Sequence, residues 1–144
     1  MKLKDLTPYQ QDVYAAKICP YCNGITRITT ELEIYGKTFK DRQIICCVNY
    51  PKCNSYVGTH EDGTTLGRLA GPKLRLAKKK AHDCFDRLWQ LKYMTREEAY
   101  QELSEHLGLD PEFTHIGIMG FSNLDLTSKW AIEKYIEFHK KENR

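Results

Sequence analysis

Six cysteines stand at positions 19, 22, 46, 47, 53 and 84, and their spacing is the strongest chemical signal in the chain. Cys19-Pro20-Tyr21-Cys22 is a knuckle: two intervening residues let both sulfurs face one ion while backbone N–H groups point toward them. A second knuckle ends at Cys53 and starts at Cys46 or Cys47, with Val48-Asn49-Tyr50-Pro51-Lys52 following Cys47. Asn49 and Pro51 are residues that tighten such a loop into a turn. Successive residues of a strand point to opposite sides, so only one of Cys46 and Cys47 can easily aim at a metal. Four thiolates in a tetrahedron suit zinc and leave no open position for water, so a zinc held this way is structural. A redox pair at Cys19 and Cys22 is the rival reading, and it lacks the βαβ context of a thioredoxin-like site. Cys84 falls on the apolar face of a helical stretch and reads as a small buried hydrophobe.

Histidines supply the other candidate chemistry. His82 and Asp86 are four apart, close enough on a helix for the carboxylate to orient the imidazole, and His60 and His115 are further acid/base or metal candidates. A metal-dependent nuclease would need such groups around a second, open metal site. No recognisable nuclease motif accompanies them, and convergence of His82, Asp86 and His115 in one cleft is the arrangement that would support catalysis.

The net charge of +3 is unevenly spread. Residues 66–93 carry eight Lys/Arg against two Asp/Glu, whereas residues 94–144 carry six against ten. A +6 segment followed by a −4 segment points to a local anionic partner for the middle of the chain. Arg68, Lys73, Arg75, Lys78, Lys79, Lys80 and Arg87 are its candidate phosphate contacts. No groove-reading helix motif appears, so single-stranded or structured nucleic acid is favoured over sequence-specific duplex reading.

These groups must be held by elements that the rest of the sequence specifies. A chain of 144 residues fits one domain, or a small metal module joined to a helical part. No stretch approaches the roughly 18 apolar residues of a membrane helix, and MKLKDLTPYQQD lacks the apolar core of a secretion signal. An intracellular, cytoplasmic protein with reduced thiols is expected.

Residues 8–18 predict a short helix. Ile28, Thr30, Leu32 and Ile34 predict one side of a strand, Tyr35-Gly36-Lys37 a turn, residues 38–46 a returning strand, and residues 55–58 a short third strand. The glycines between 58 and 71 predict a connector. Pro72 opens a helix with Leu74, Ala77, Ala81, Phe85, Leu88 and Trp89 toward the core, breaking near Lys92-Tyr93. Thr95 and Glu98 form a capping box for a helix running to about Leu107, with Gly108 as its stop. Residues 115–119 predict a short strand or extended buried segment. A last amphipathic helix is expected to start near Thr127 or Ser128, carrying Trp130, Ala131, Tyr135, Ile136 and Phe138. The expected fold is α+β: a zinc ribbon with its lead-in over residues 1–65, then a helical region over residues 66–144.

The run CCVNYPKCNSYVG resembles the second half of the zinc ribbons at the C-terminal end of bacterial type IA DNA topoisomerases, a likeness covering about residues 17–58. Those ribbons bind single-stranded DNA with basic and aromatic side chains, which implies Tyr21, Tyr50, Lys52 and Tyr56 as nucleic-acid contacts here, with Lys17 and Arg27 nearby. A longer likeness runs through CPYC, YPKC, YVGTH, LGRLA, LRLAKKKAHDCFDRLW, TREEAY and HIGIM. In that order these resemble a phage- and prophage-encoded zinc-finger-containing family of unknown function. The resemblance implies one structural Zn²⁺ on Cys19, Cys22, Cys47 and Cys53 and a bacterial host cell; it carries no activity. A cysteine expected after HIGIM is replaced in FSNLDLTSKW. Besides nucleic acid, a host or phage protein is a candidate partner, with the acidic C-terminal region as a docking surface; no membrane is implied.

Overall fold

The computed structural model describes residues 2–143. Leu3–Lys73 forms one compact unit; the chain from Leu74 onward, with Lys2, forms another.

The first unit opens with a 3-10 turn (Leu3–Asp5) and helix α1 (Pro8–Tyr14). The Thr7 hydroxyl accepts the Gln10 amide and the Gln10 side chain accepts the Thr7 amide, satisfying two donors that a helix start leaves unbonded. α1 stops short of the expected residue 18, and Ala16 beyond it takes a left-handed φ of 59°, a conformation that ends helices.

Three antiparallel strands follow, β1 (Thr26–Thr30), β2 (Gln43–Cys47) and β3 (Tyr56–Gly58), in the order β1-β2-β3. Ile28 pairs with Ile45, which pairs with Val57; Arg27 pairs with Cys46, which pairs with Tyr56. Side chains alternate along a strand, so the register sorts the sheet into two faces. Cys47, Ile45 and Val57 share one face; Cys46, Ile44, Arg27 and Tyr56 share the other.

The expected simple hairpin is corrected between its strands. Leu32 and Ile34 do not continue β1, because the chain turns into a short helix, α2 (Glu31–Tyr35). Its start is set by the Thr30 hydroxyl, which accepts the Glu33 amide, and its end by Gly36 at φ 78°; a threonine cap and glutamates in the first turn favour a helix start over the extended state. Residues 38–42 form a loop, and the second strand begins at Gln43. Glu31 holds that loop: the residue is only 7% exposed, and its carboxylate accepts the amides of Phe39, Lys40 and Arg42 at 3.2, 3.0 and 3.3 Å. Burial pushes this carboxyl up, but the backbone donors outweigh burial and hold it below the usual range.

The glycine-rich stretch expected as a connector packs onto the sheet. Ala70 and Tyr56 exchange both amide hydrogen bonds, at 3.1 and 3.2 Å, and Thr59 bridges Thr65. Leu69 is fully buried with Ala16, Cys19, Cys47 and Val57, against half-buried Ile45 and Cys53. The core of this small unit is therefore built around cysteines.

Helix α3 (Pro72–Gln90) starts at the proline, with Leu74, Ala81, Cys84, Phe85 and Leu88 buried and Ala77 and Trp89 half-buried. Lys92 turns left-handed at φ 63°, where the break was expected. Helix α4 (Arg96–Leu107) carries the Thr95–Glu98 capping box and ends on Gly108 at φ 66°. The segment expected as extended is instead a 3-10 turn (Ile116–Ile118), with Ile116 and Met119 buried. Helix α5 (Phe121–Glu142) begins well before Thr127, behind Gly120, which offers no side-chain cap. Phe85 packs its ring 4.7 Å from that of Tyr100 and 6.2 Å from that of Trp130, joining α3, α4 and α5 in one core. No described helix is long and apolar enough to cross a membrane.

Candidate metal centre and nucleic-acid interface

Two tight turns bring the cysteines together. In the first, the Cys19 amide donates to the Gly24 carbonyl at 2.8 Å and the Asn23 amide donates to the Cys19 carbonyl at 2.9 Å. Asn23 sits at φ 61°, an angle asparagine tolerates better than most residues, and its side chain accepts the Tyr9 hydroxyl at 2.5 Å. Gly24 packs closely: a Cβ there would stand 3.3 Å from Cys22 Sγ and 3.2 Å from Asn49 Nδ2, tighter than ordinary contact. In the second turn the Tyr50 amide donates to the Cys47 carbonyl at 2.9 Å, and the Cys53 amide to the Asn49 carbonyl at 3.0 Å. The Tyr50–Pro51 peptide bond is cis.

The sulfurs of Cys19, Cys22, Cys47 and Cys53 all lie within 4.8 Å of one another. Cys22 and Cys47 are 3.4 Å apart, Cys19 and Cys53 3.6 Å. A zinc with bonds of about 2.3 Å spaces tetrahedral sulfurs by about 3.8 Å, so the donor set and its size fit one ion. Cys46, although adjacent, is buried on the opposite sheet face and outside the cluster.

Polar groups surround the sulfurs. The Ser55 hydroxyl lies 3.2 Å from Cys19 Sγ and 3.7 Å from Cys53 Sγ. The Asn49 amide donates to Cys47 Sγ at 3.4 Å, and its side chain to Cys22 Sγ at 3.6 Å. The Gly24 amide, then Asn49 and Cys47, bring the Cys22 thiol down to about 6. Burial pushes Cys47 up to about 12 and raises Cys53 as well. Four thiolates this close repel one another, and zinc bound there supplies the compensating charge and a covalent staple. All four positions of a tetrahedral ion are filled by protein, so the centre organises the fold and activates no water. The role of Ser55 was not visible in the sequence, where serine next to a cysteine knuckle carries no distinctive pattern.

The expected nucleic-acid contacts separate into groups. Tyr21 is half exposed, with its hydroxyl accepting the Gly71 amide at 2.9 Å. Tyr50 meets Tyr56 edge-on at 6.1 Å, and Lys52 is exposed on the second turn. On α3, Lys73 and Lys80 are exposed and seven residues apart, which puts them on one side of the helix about 10.5 Å from each other. Lys79 is exposed but paired with Asp83 at 2.8 Å. Arg87 lays its guanidinium 4.6 Å over the Tyr135 ring, a contact that ties it to α5. Arg68, Arg75 and Lys78 are half-buried and engaged within the protein.

The candidate catalytic groups do not converge. His82 Nδ1 and Asp86 Oδ2 are 3.5 Å apart, but the groove of about 310 Å³ that His115 lines is walled by Arg96, Glu97, Tyr100 and Ser104 among others, without either of them. Among the described residues the four-cysteine cluster is the one group of three or more His, Cys, Asp or Glu placed to hold a metal. His60 lies in the loop closed by the Thr59–Thr65 bridge, in the first unit.

No curated protein and no solved structure matches the chain. The model of a family described as a zinc-finger-containing domain matches residues 15–134. That span takes in both cysteine knuckles, the sheet, α2 to α4 and most of α5, and the chain belongs to this zinc-finger-containing domain family.

Proposed function

We propose that the protein binds single-stranded or structured nucleic acid without catalysis, using a ribbon stapled by one zinc, in the cytoplasm of a bacterial host that carries a phage or prophage. The observation that carries this reading is the unneutralised basic face of α3. Lys73 and Lys80 are exposed on it without an ion pair among the described residues, inside a segment of net charge +6. Exposed lysines of this kind neutralise phosphates and release counterions. Lys52 and the tyrosines of the ribbon support the same reading by the chemistry of single-strand recognition, and the topoisomerase-like CCVNYPKCNSYVG run agrees with it. The phage context and bacterial location rest on the sequence resemblance.

The test is binding of single-stranded and duplex DNA and RNA by zinc-loaded protein across a salt series. Single strands should bind, and Lys73→Ala with Lys80→Ala should reduce the log–log salt slope by about 1.4, about 0.7 per lost contact. No binding at low salt would contradict the proposal.

A second reading is favoured by a separate observation. Phe121, Leu126, Ile132 and Ile136 on α5 are 55%, 43%, 39% and 44% exposed, which leaves apolar side chains on this helix open to burial by a partner. These residues suit a protein partner, host or phage, and such an adaptor role is compatible with nucleic-acid binding.

A further inference from the structure

The sheet face opposite the four-cysteine cluster carries a row of four aromatic rings. Tyr50 meets Tyr56 at 6.1 Å, Tyr56 meets Tyr35 at 5.9 Å and Tyr35 meets Phe39 at 5.6 Å, each pair turned nearly perpendicular at 80°, 85° and 80°. Only Tyr50 and Tyr56 were identifiable from the ribbon resemblance. Tyr35 and Phe39 join the row because α2 replaces the expected hairpin and because Glu31 pins the loop that carries Phe39.

We propose that Tyr50, Tyr56, Tyr35 and Phe39 form a base-stacking platform for single-stranded nucleic acid. This rests on the nucleic-acid reading above and names the surface that takes the bases. Tyr35 is 44% and Phe39 61% exposed, and Tyr50 and Tyr56 are half-buried, so all four rings keep accessible surface. An unpaired base offers a π face that such rings accept whatever its identity. Other single-strand-reading sheets stack two or three bases on aromatic rings.

The charges around the row suit the same partner. Lys37 places Nζ 5.0 Å over the Phe39 ring centroid; a base stacking on that face displaces this flexible side chain toward the phosphates. Lys40 and Lys52 are exposed. The nearby carboxylates are largely withdrawn: Glu33 is held by Arg27 at 2.9 and 3.0 Å and by Thr29, and Glu31 faces inward onto backbone amides. Asp41 is the exposed carboxylate that remains in this segment. A neutral or basic protein ligand would gain from the apolar area but not from this cationic rim.

The experiment uses full-length, zinc-loaded protein and fluorescently labelled oligo(dT) and oligo(U), read by anisotropy over a salt series. Tyr35→Leu and Phe39→Leu keep an apolar cover and remove the ring. Each should weaken single-strand binding by about tenfold with the salt slope unchanged, while Phe39→Tyr stays close to wild type. Wild-type affinity in both leucine variants, beside a wild-type protein that binds, overturns the platform and leaves the nucleic-acid reading standing. Failure of the wild type to bind any nucleic acid overturns both. Photocrosslinking of iodouracil-substituted oligonucleotides to the wild-type protein avoids dependence on variant folding. Adducts on Tyr35, Phe39, Tyr50 or Tyr56 support the platform, and adducts confined to other residues overturn it.

Discussion

Ser55 sets its hydroxyl 3.2 Å from the sulfur of Cys19, and both groups are buried. A buried thiolate needs donors to stabilise its charge, and groups that bond to metal ligands also fix their orientation. Ser55→Ala removes this donor without creating a large void. We expect zinc affinity to fall by about 10–100-fold, measured by competition with a chromophoric chelator, with the protein still folded when zinc is saturating. Unchanged affinity would mean that Ser55 only fills space.

Zinc removal should act unevenly along the chain. The core of Leu3–Lys73 includes Cys19 and Cys47, and structural zinc contributes on the order of 10 kcal/mol to folding at neutral pH. Chelation should therefore collapse the amide dispersion of the sheet. The buried residues of α4 and α5, led by Leu103, Leu124 and Ala131, belong to the other unit, and their amide signals should persist. An NMR spectrum before and after chelator distinguishes this from a chain that unfolds as one.

Tyr93 provides a pH test away from the metal. Its hydroxyl donates to Glu142 at 2.6 Å, and that hydrogen bond, then burial and the glutamate's charge, raise the phenol to about 12 from 10. A raised folded value means that the contact contributes fully below pH 10 and is lost as pH rises through about 12. An ultraviolet titration of tyrosinate, taken as the difference between wild type and Tyr93→Phe, should show this late ionisation. Glu142→Gln should move it back toward the ordinary range.

In the helical part, Thr95→Ala removes a cap whose hydroxyl accepts the Glu98 amide at 3.0 Å. The expected cost is about 1 kcal/mol. Phe85→Ala empties a fully buried site against Tyr100 and Trp130 and should cost about 3–5 kcal/mol. Urea unfolding at constant zinc measures both, and a larger loss for the cap than for the ring would contradict this packing.

What could be read from the sequence depended on whether the controlling interaction was local. The cysteine spacing, the proline at the start of α3 and the Thr95–Glu98 box are local signals, and the structure uses each. The Thr30–Glu33 cap was equally local, but the β-branched run around it suggested a strand, and helix α2 was missed. The early start of α5 had no signal, because Gly120 brings no capping side chain. Glu31 and Phe39 depend on a loop closed by tertiary hydrogen bonds. No residue spacing announces such a carboxylate, so the outer half of the aromatic row could not be found before the fold.

The central claim is that one zinc, held by four named cysteines, organises the ribbon. Its sharpest test lies in two neighbours on β2, since Cys47 faces the cluster and Cys46 faces away although both are fully buried. Zinc content should be measured per chain in purified Cys46→Ser and Cys47→Ser proteins. The account predicts about one zinc in the first and a large loss, with a disordered ribbon, in the second. Zinc retained by Cys47→Ser and lost from Cys46→Ser would contradict it.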